Sequence, residues 1–240
     1  MTTWNEFAWA AFLYGSLGGD SYYKTLFSDT VFMAALHAAP KELTDGDVRD
    51  HLIHFLNQWK TRVHKSSAAQ LREVIVLCHP FYSILAAHRL ETTGFDTTVT
   101  VSGQAMPVSY IVARCYELLD SVSGIGPTAT AKTLHVLVPG LFVMWDGAIL
   151  SKLAKADPAI EATGQGYVAF LKHGQAIGKD ASLDFKQTIL NPPPNPGVSM
   201  ESYLSDRLGY SSGKTLAKYV DEYLWVTITN GAIVPPKWHP

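Results

Sequence analysis

The chain has 240 residues, 47% of them hydrophobic and 17% charged, with a formal net charge of -2. That balance excludes a disordered chain, which needs low hydrophobicity with high net charge, and two cysteines exclude a disulfide scaffold. A chain of this length buries roughly 70% of its unfolded surface, so one large domain or two interlocked lobes with its own core is expected.

No segment suits a membrane, because the longest apolar stretches, Phe7 to Leu17 and Val136 to Leu150, are short or broken by Gly15, Pro139 and Asp146. The apolar start lacks a basic leader and carries Glu6, so it does not read as a signal peptide. Cys78 and Cys115 sit in apolar runs, the pattern of buried thiols, and a reducing cytoplasm is the expected compartment.

In chain order, Asp47 to Trp59 places Val48, Leu52, Phe55, Leu56 and Trp59 on one helical stripe. Ala68 to Leu90 is also helical, with Pro80 expected to divide it in two. Thr97 to Val101 is a β-branched run without an obvious partner and reads as loop or edge. Helices are predicted over Met106 to Val122, Pro127 to Val138, Asp146 to Ala156, Tyr167 to Ile177, Met200 to Leu208 and Gly213 to Thr229. Asn191 to Gly197, with four prolines, reads as a stiff surface loop. No repeat is present, and the architecture reads as all-α.

The informative segment runs from Val122 to His135. A helix ends, Gly124-Ile125-Gly126 turns the chain, and Pro127 begins a helix rich in Thr and Ala. Glycine permits positive φ and close backbone approach. Pro127 suits the first helical position, where its missing N–H costs nothing. The N–H groups left without partners at such a turn, aided by the helix dipole, suit a phosphate. Twenty residues beyond Gly126, Asp146 stands between Trp145 and Gly147 in an otherwise apolar stretch. There it either caps the next helix or does chemistry, since an unpaired acid in such a setting is costly.

This pairing resembles the helix-hairpin-helix DNA glycosylase superfamily, over roughly Tyr116 to Leu153, with the run from Gly124 to Leu153 similar to the adenine-mismatch branch. Val122-Ser123 replace the family's Leu-Pro. The resemblance implies a single two-lobed helical domain over 1–240, with both chain ends in one lobe, the helix-hairpin-helix element at 107–138 and a catalytic-aspartate loop at 139–147. It implies that Asp146 stabilises the positive charge that develops on deoxyribose when the N-glycosidic bond breaks, and orients or deprotonates water. Gly124, Ile125, Gly126, Thr128 and Lys132 would hold DNA, a duplex with one extruded base. Trp145 is either a pocket wall for that base or a core tryptophan, and the aromatic-rich start, Trp4 to Tyr14 with Tyr22-Tyr23, carries the same two readings.

Bifunctional relatives carry lysine where Thr128 stands, so the resemblance implies a monofunctional glycosylase; Lys132, one turn on, reads as a phosphate contact or a substitute amine. No cofactor is implied beyond a monovalent cation on the carbonyls of Gly124 and Gly126. The target base, in repair or in defence against viral DNA carrying hypermodified bases, is left open. A catalytically silent DNA-binding module is the alternative, and a purely structural turn the third reading. A monomer is expected.

Local charge gives mild support for DNA. Lys132, Lys152 and Lys155 outnumber Asp146 over 121–155, and Lys60, Arg62 and Lys65 form a second basic cluster, so modest, salt-sensitive affinity is expected. Gly209 to Thr215 is one residue short of a P-loop and follows a helical pattern, so Ser211 or Ser212 is read as a helix cap. The nine histidines show no metal-binding spacing, and no catalytic metal is expected.

Overall fold

Apolar residues at three- and four-residue spacing become buried helix faces in the computed structural model, which describes residues 1–188, 198–209 and 214–235. Two capping boxes start the N-terminal helices. Thr3 with Glu6 opens α1 (Trp4–Ser16), and Thr44 with Asp47 opens α4 (Asp45–Asp47). Between them lie α2 (Asp20–Ser28) and α3 (Thr30–Ala38). The helix begun by α4 widens into π-helical turns over Val48–Ile53 and ends as α5 (His54–Gln58). Then follow α6 (Ala68–Leu85), α7 (Val108–Asp120), α8 (Pro127–Leu137), α9 (Gly147–Ala156), α10 (Gly164–Thr188), α11 (Met200–Leu208) and α12 (Leu216–Leu224), the last running into π-helical turns to Thr229.

Four expectations change. α6 continues through Pro80. The lost hydrogen bond and ring clash cost about 3 kcal/mol, but burial of Leu71, Ile75, Cys78, Tyr82 and Leu85 on one face contributes about 1.5–3 kcal/mol per large side chain. Thr98–Val101 does have a partner: it forms β1, paired antiparallel with β2 (Gln104–Pro107). The turn uses Ser102 and Gly103, both at positive φ, which suits a hairpin; β2 lacks branched residues and so gave no strand signal. α10 is far longer than Tyr167 to Ile177 because its glycines permit contact rather than break the helix. A Cβ at Gly164 would lie 2.5 Å from the Ala113 carbonyl, and one at Gly178 2.9 Å from Leu216. Finally, Thr215 caps α12 by accepting from the Lys218 N–H. Ser211 and Ser212, like the proline-rich Asn191 to Gly197, lie outside the described residues.

α7 packs between α6 and α10, while α10 also touches α1 and α12. α1 lies directly on α12, so the first and last described helices share one core. Cys78 and Cys115 are free and buried. Among the described residues, no helix is long and apolar enough to cross a membrane.

Candidate active site

The turn between α7 and α8 is built as its composition requires. Gly124 has φ +80, which a side chain would strain. Ile125 is buried and its N–H donates to the Val122 carbonyl at 3.0 Å. Ile125 therefore anchors the turn, with its side chain in the core and its N–H engaged within the chain. Gly124 and Gly126 are exposed and Thr128 is half-buried; their N–H groups take no partner among the described residues. The Gly126 carbonyl accepts the Thr130 N–H at 3.0 Å, which occupies one of the acceptors considered for a monovalent cation. The turn is tied to the start of α6: Ser67 Oγ donates to the Ser123 carbonyl at 2.9 Å, and the Ser123 N–H donates to Gln70 Oε1 at 3.1 Å.

Asp146 is the N-cap of α9. Its Oδ1 accepts the N–H groups of Ala148 and Ile149, both at 2.9 Å, and its Oδ2 accepts the Thr229 hydroxyl at 2.8 Å. The side chain is half-buried, not sealed in the interior. The preceding residue couples it to the turn. Trp145 donates its indole N–H to the Pro127 carbonyl at 2.9 Å, across 18 positions, and packs against Tyr116, Tyr167 and Phe170. At 1% exposure, Trp145 is a core tryptophan that positions its neighbour; the pocket-wall reading gives way.

Lys132 is placed differently from a surface phosphate contact. It is 6% exposed and makes no ion pair among the described residues. Its ammonium lies over the Trp59 ring, 4.4 Å from the centroid. Burial pushes its pKa down to about 8, against the pull of Asp221 and Asp146, while Lys218 pushes the same way as burial. The Trp59 indole N–H is buried without a hydrogen-bond partner among the described residues.

Behind Lys132 lies an ionic cluster absent from the sequence reading. Lys214 bridges Asp20 at 2.7 Å and Glu222 at 2.8 Å; Lys218 bridges Asp221 at 2.7 Å and approaches Glu222 at 3.4 Å. Lys218 and Glu222 are fully buried. Burial raises Glu222 to about 7, opposed by Lys218 and Lys214. Burial would depress Lys218, but Asp221, Tyr14 and Glu222 together hold its ammonium well above the ordinary lysine value. Lys218 also sits 4.2 Å from the Tyr14 ring centre, and Tyr14 stacks on Trp59. Tyr23 reaches Nε2 of His135 at 3.2 Å, whose Nδ1 donates to the Phe142 carbonyl at 2.6 Å. Burial holds His135 down to about 4, so it is neutral.

The aromatic start is thus split. Trp4 and Phe7 are core, whereas Tyr14 and Tyr23 face the buried charges. Desolvating charges costs several kcal/mol per ion even after relaxation, so a cluster of this kind buried in the core is a costly feature that packing alone does not call for. The signal available was α12 itself. Lys218, Asp221 and Glu222 stand among buried Leu216, Tyr219, Val220 and Leu224, leaving no polar outer face.

Surface cavities of about 430, 290 and 260 Å³ lie beside Lys179 and Leu216, between Arg89 and Lys214, and beside His37 and Tyr82. Asp146 and Lys132 line none of these three. Among the described residues, no three His, Cys, Asp or Glu side chains are arranged to hold a metal ion. No family profile, curated protein or solved structure matches this chain.

Proposed function

We propose that the protein is a DNA glycosylase that hydrolyses the N-glycosidic bond of a damaged, mismatched or modified base, with Asp146 as the catalytic carboxylate. The observation that carries this reading is the fixed juxtaposition of three parts. A half-exposed carboxylate is locked by three hydrogen bonds. A buried lysine without an ion pair feels its charge. A glycine turn with open N–H groups is tied to it through Trp145 and Pro127.

Bond cleavage develops positive charge at the sugar C1′ and a leaving base. A carboxylate held rigidly beside C1′ stabilises that charge and orients the attacking water. The turn's N–H groups hold a backbone phosphate at the start of α8. The base enters from outside the duplex, towards Lys132, Trp59 and the aromatic wall of α1 and α12. In the two-lobed reading these chain-end helices form one side of the cleft and the turn the other. The reaction occurs in the cytoplasm and uses no cofactor.

A second reading concerns Lys132. Its low pKa and burial suit an amine nucleophile. Attack of its lone pair on C1′ would form an N–C1′ bond and expel the base, which takes up a proton. Opening of the C1′–O4′ bond, with O4′ protonated, would then leave a Schiff base, and β-elimination of the 3′ phosphate would cut the strand without alkali. The test is a panel of duplexes carrying different modified bases, incubated with wild type, Asp146→Asn and Lys132→Met, with and without hot alkali and borohydride. Alkali-dependent cuts lost in Asp146→Asn support the hydrolytic reading. A borohydride-trapped adduct lost in Lys132→Met supports the amine. Duplex binding without product on any substrate instead favours a silent binding module.

A further inference from the structure

Residues 59–67 connect the two parts of the candidate site. At one end, Trp59 carries the Lys132 ammonium on its ring. At the other, Ser67 bonds the Ser123 carbonyl and lies where a Cβ on Gly124 would come within 3.3 Å of its Oγ. Between these ends the backbone is held in a disfavoured shape. Lys60 and Arg62 both have φ +60, the left-handed region that residues with a Cβ avoid.

Asn57 enforces that shape. Its Oδ1 accepts the Val63 N–H at 2.8 Å and its Nδ2 donates to the Val63 carbonyl at 2.9 Å, while Val63 itself is buried. Strain of this kind persists where surrounding structure over-determines it, and it concentrates at functional sites. Its effect here is to display two cations. Lys60 and Arg62 are exposed, and neither side chain has an acidic partner among the described residues. Lys65, further along, faces Asp50, which Arg49 already pairs. In a chain of net charge -2, such a paired display of unneutralised charge beside open N–H donors is a local feature, not a by-product of overall basicity.

We infer that residues 59–67 form a second polyanion-binding element, in which Lys60 and Arg62 grip phosphates of the DNA backbone flanking the nucleotide held at Asp146. This rests on the DNA reading of the site but concerns binding alone. Asn57 pre-organises the loop, so little ordering cost falls on association.

The experiment measures fluorescence anisotropy of a labelled duplex of about 20 base pairs at salt between about 50 and 200 mM. Wild type is compared with the double variants Lys60→Ala with Arg62→Ala and Lys60→Gly with Arg62→Gly, each checked by circular dichroism and thermal melting. Losing two phosphate contacts is expected to weaken binding about tenfold at the lower salt and flatten the salt slope by about 1.8. The glycine variant relieves the strained backbone, so its melting temperature is expected to stay level or rise while its affinity falls. A merely structural role would move the two together. Unchanged affinity and slope in both variants overturn the loop's role, as does a wild type that shows no salt-dependent binding. Base excision that persists in those cases keeps the Asp146 reading standing, so the two failures are separable.

Discussion

Replacing Asp146 by Asn separates its capping role from its proposed chemistry. Asn is as good an N-cap as Asp, and its Oδ1 can keep both 2.9 Å bonds from Ala148 and Ile149. Its Nδ2 replaces Oδ2 and donates to the Thr229 hydroxyl, reversing that 2.8 Å bond. What is lost is charge: about 0.3–1 kcal/mol of interaction with the α9 dipole, and about 1 kcal/mol as a charge-assisted bond becomes neutral. Total destabilisation of about 1–2 kcal/mol should lower the melting temperature by about 2–8 °C in a chain of this size. Base excision, by contrast, should fall at least about 100-fold, the scale for removing an electrostatic stabiliser of a transition state. Asp146→Ala provides the control, since it strips the cap as well and should be less stable than Asp146→Asn by about 1 kcal/mol. Thermal melts and single-turnover excision on the same preparations read both quantities. The reasoning is refuted if Asp146→Asn keeps excision within about threefold of wild type.

Lys132→Met removes a buried cation whose pKa falls from 10.5 to about 8. Below pH 8 the ammonium costs the fold about 3 kcal/mol, so the variant is expected to be as stable as wild type or more so at pH 7 by urea denaturation. The folded lysine releases its proton at lower pH than the unfolded one. Wild type therefore gains stability from pH 8 to 10.5 and the variant does not; parallel profiles would count against the burial argument. Lys218→Met strands Asp221 and leaves Glu222 to Lys214 alone, and should cost about 3–5 kcal/mol, against a change within about 0.5 kcal/mol for exposed Lys152→Met. A loss under about 1 kcal/mol would show that the cluster is hydrated. Glu222 is raised from 4.5 to about 7, so the folded state holds its proton while the unfolded state releases it. Its contribution is fully present below pH 4.5 and lost as pH rises to 7, by up to about 3 kcal/mol. Relative to Glu222→Gln, wild-type stability should decline across that window; a flat difference would contradict it.

Local rules settled much of this fold. Three- and four-residue apolar spacing marked the stretch that became α7, which buries one face against its neighbours, whereas α8 is buried all round from Ala129 to Leu137. Gly124 at positive φ, Pro127 at the first position of α8 and Asp146 as the cap of α9 are all choices made within a few residues of chain. The same logic failed where a long-range partner outweighed local preference. Pro80 stays inside α6, the glycines of α10 serve close packing rather than termination, and β2 becomes a strand because β1 is there to pair with it.

The acid–turn pair was visible because its members lie within one short stretch, where spacing is itself geometry. The lysine–aromatic half was not. Asp20 and Lys214 are separated by 194 positions and Trp59 lies far from Lys132 in sequence. A helix carrying Lys218, Asp221 and Glu222 would ordinarily turn such groups to water. Only when α1 and α2 close over α12 do opposite charges meet inside the core, and only that meeting makes their burial tolerable. Sequence alone therefore determined the turn, the capping carboxylate and most helices from α4 onward, whereas α1 to α3 gave no helix reading. Tertiary structure decided which ionisable groups share a desolvated space, because Coulomb attraction and burial depend on distance through space and not along the chain.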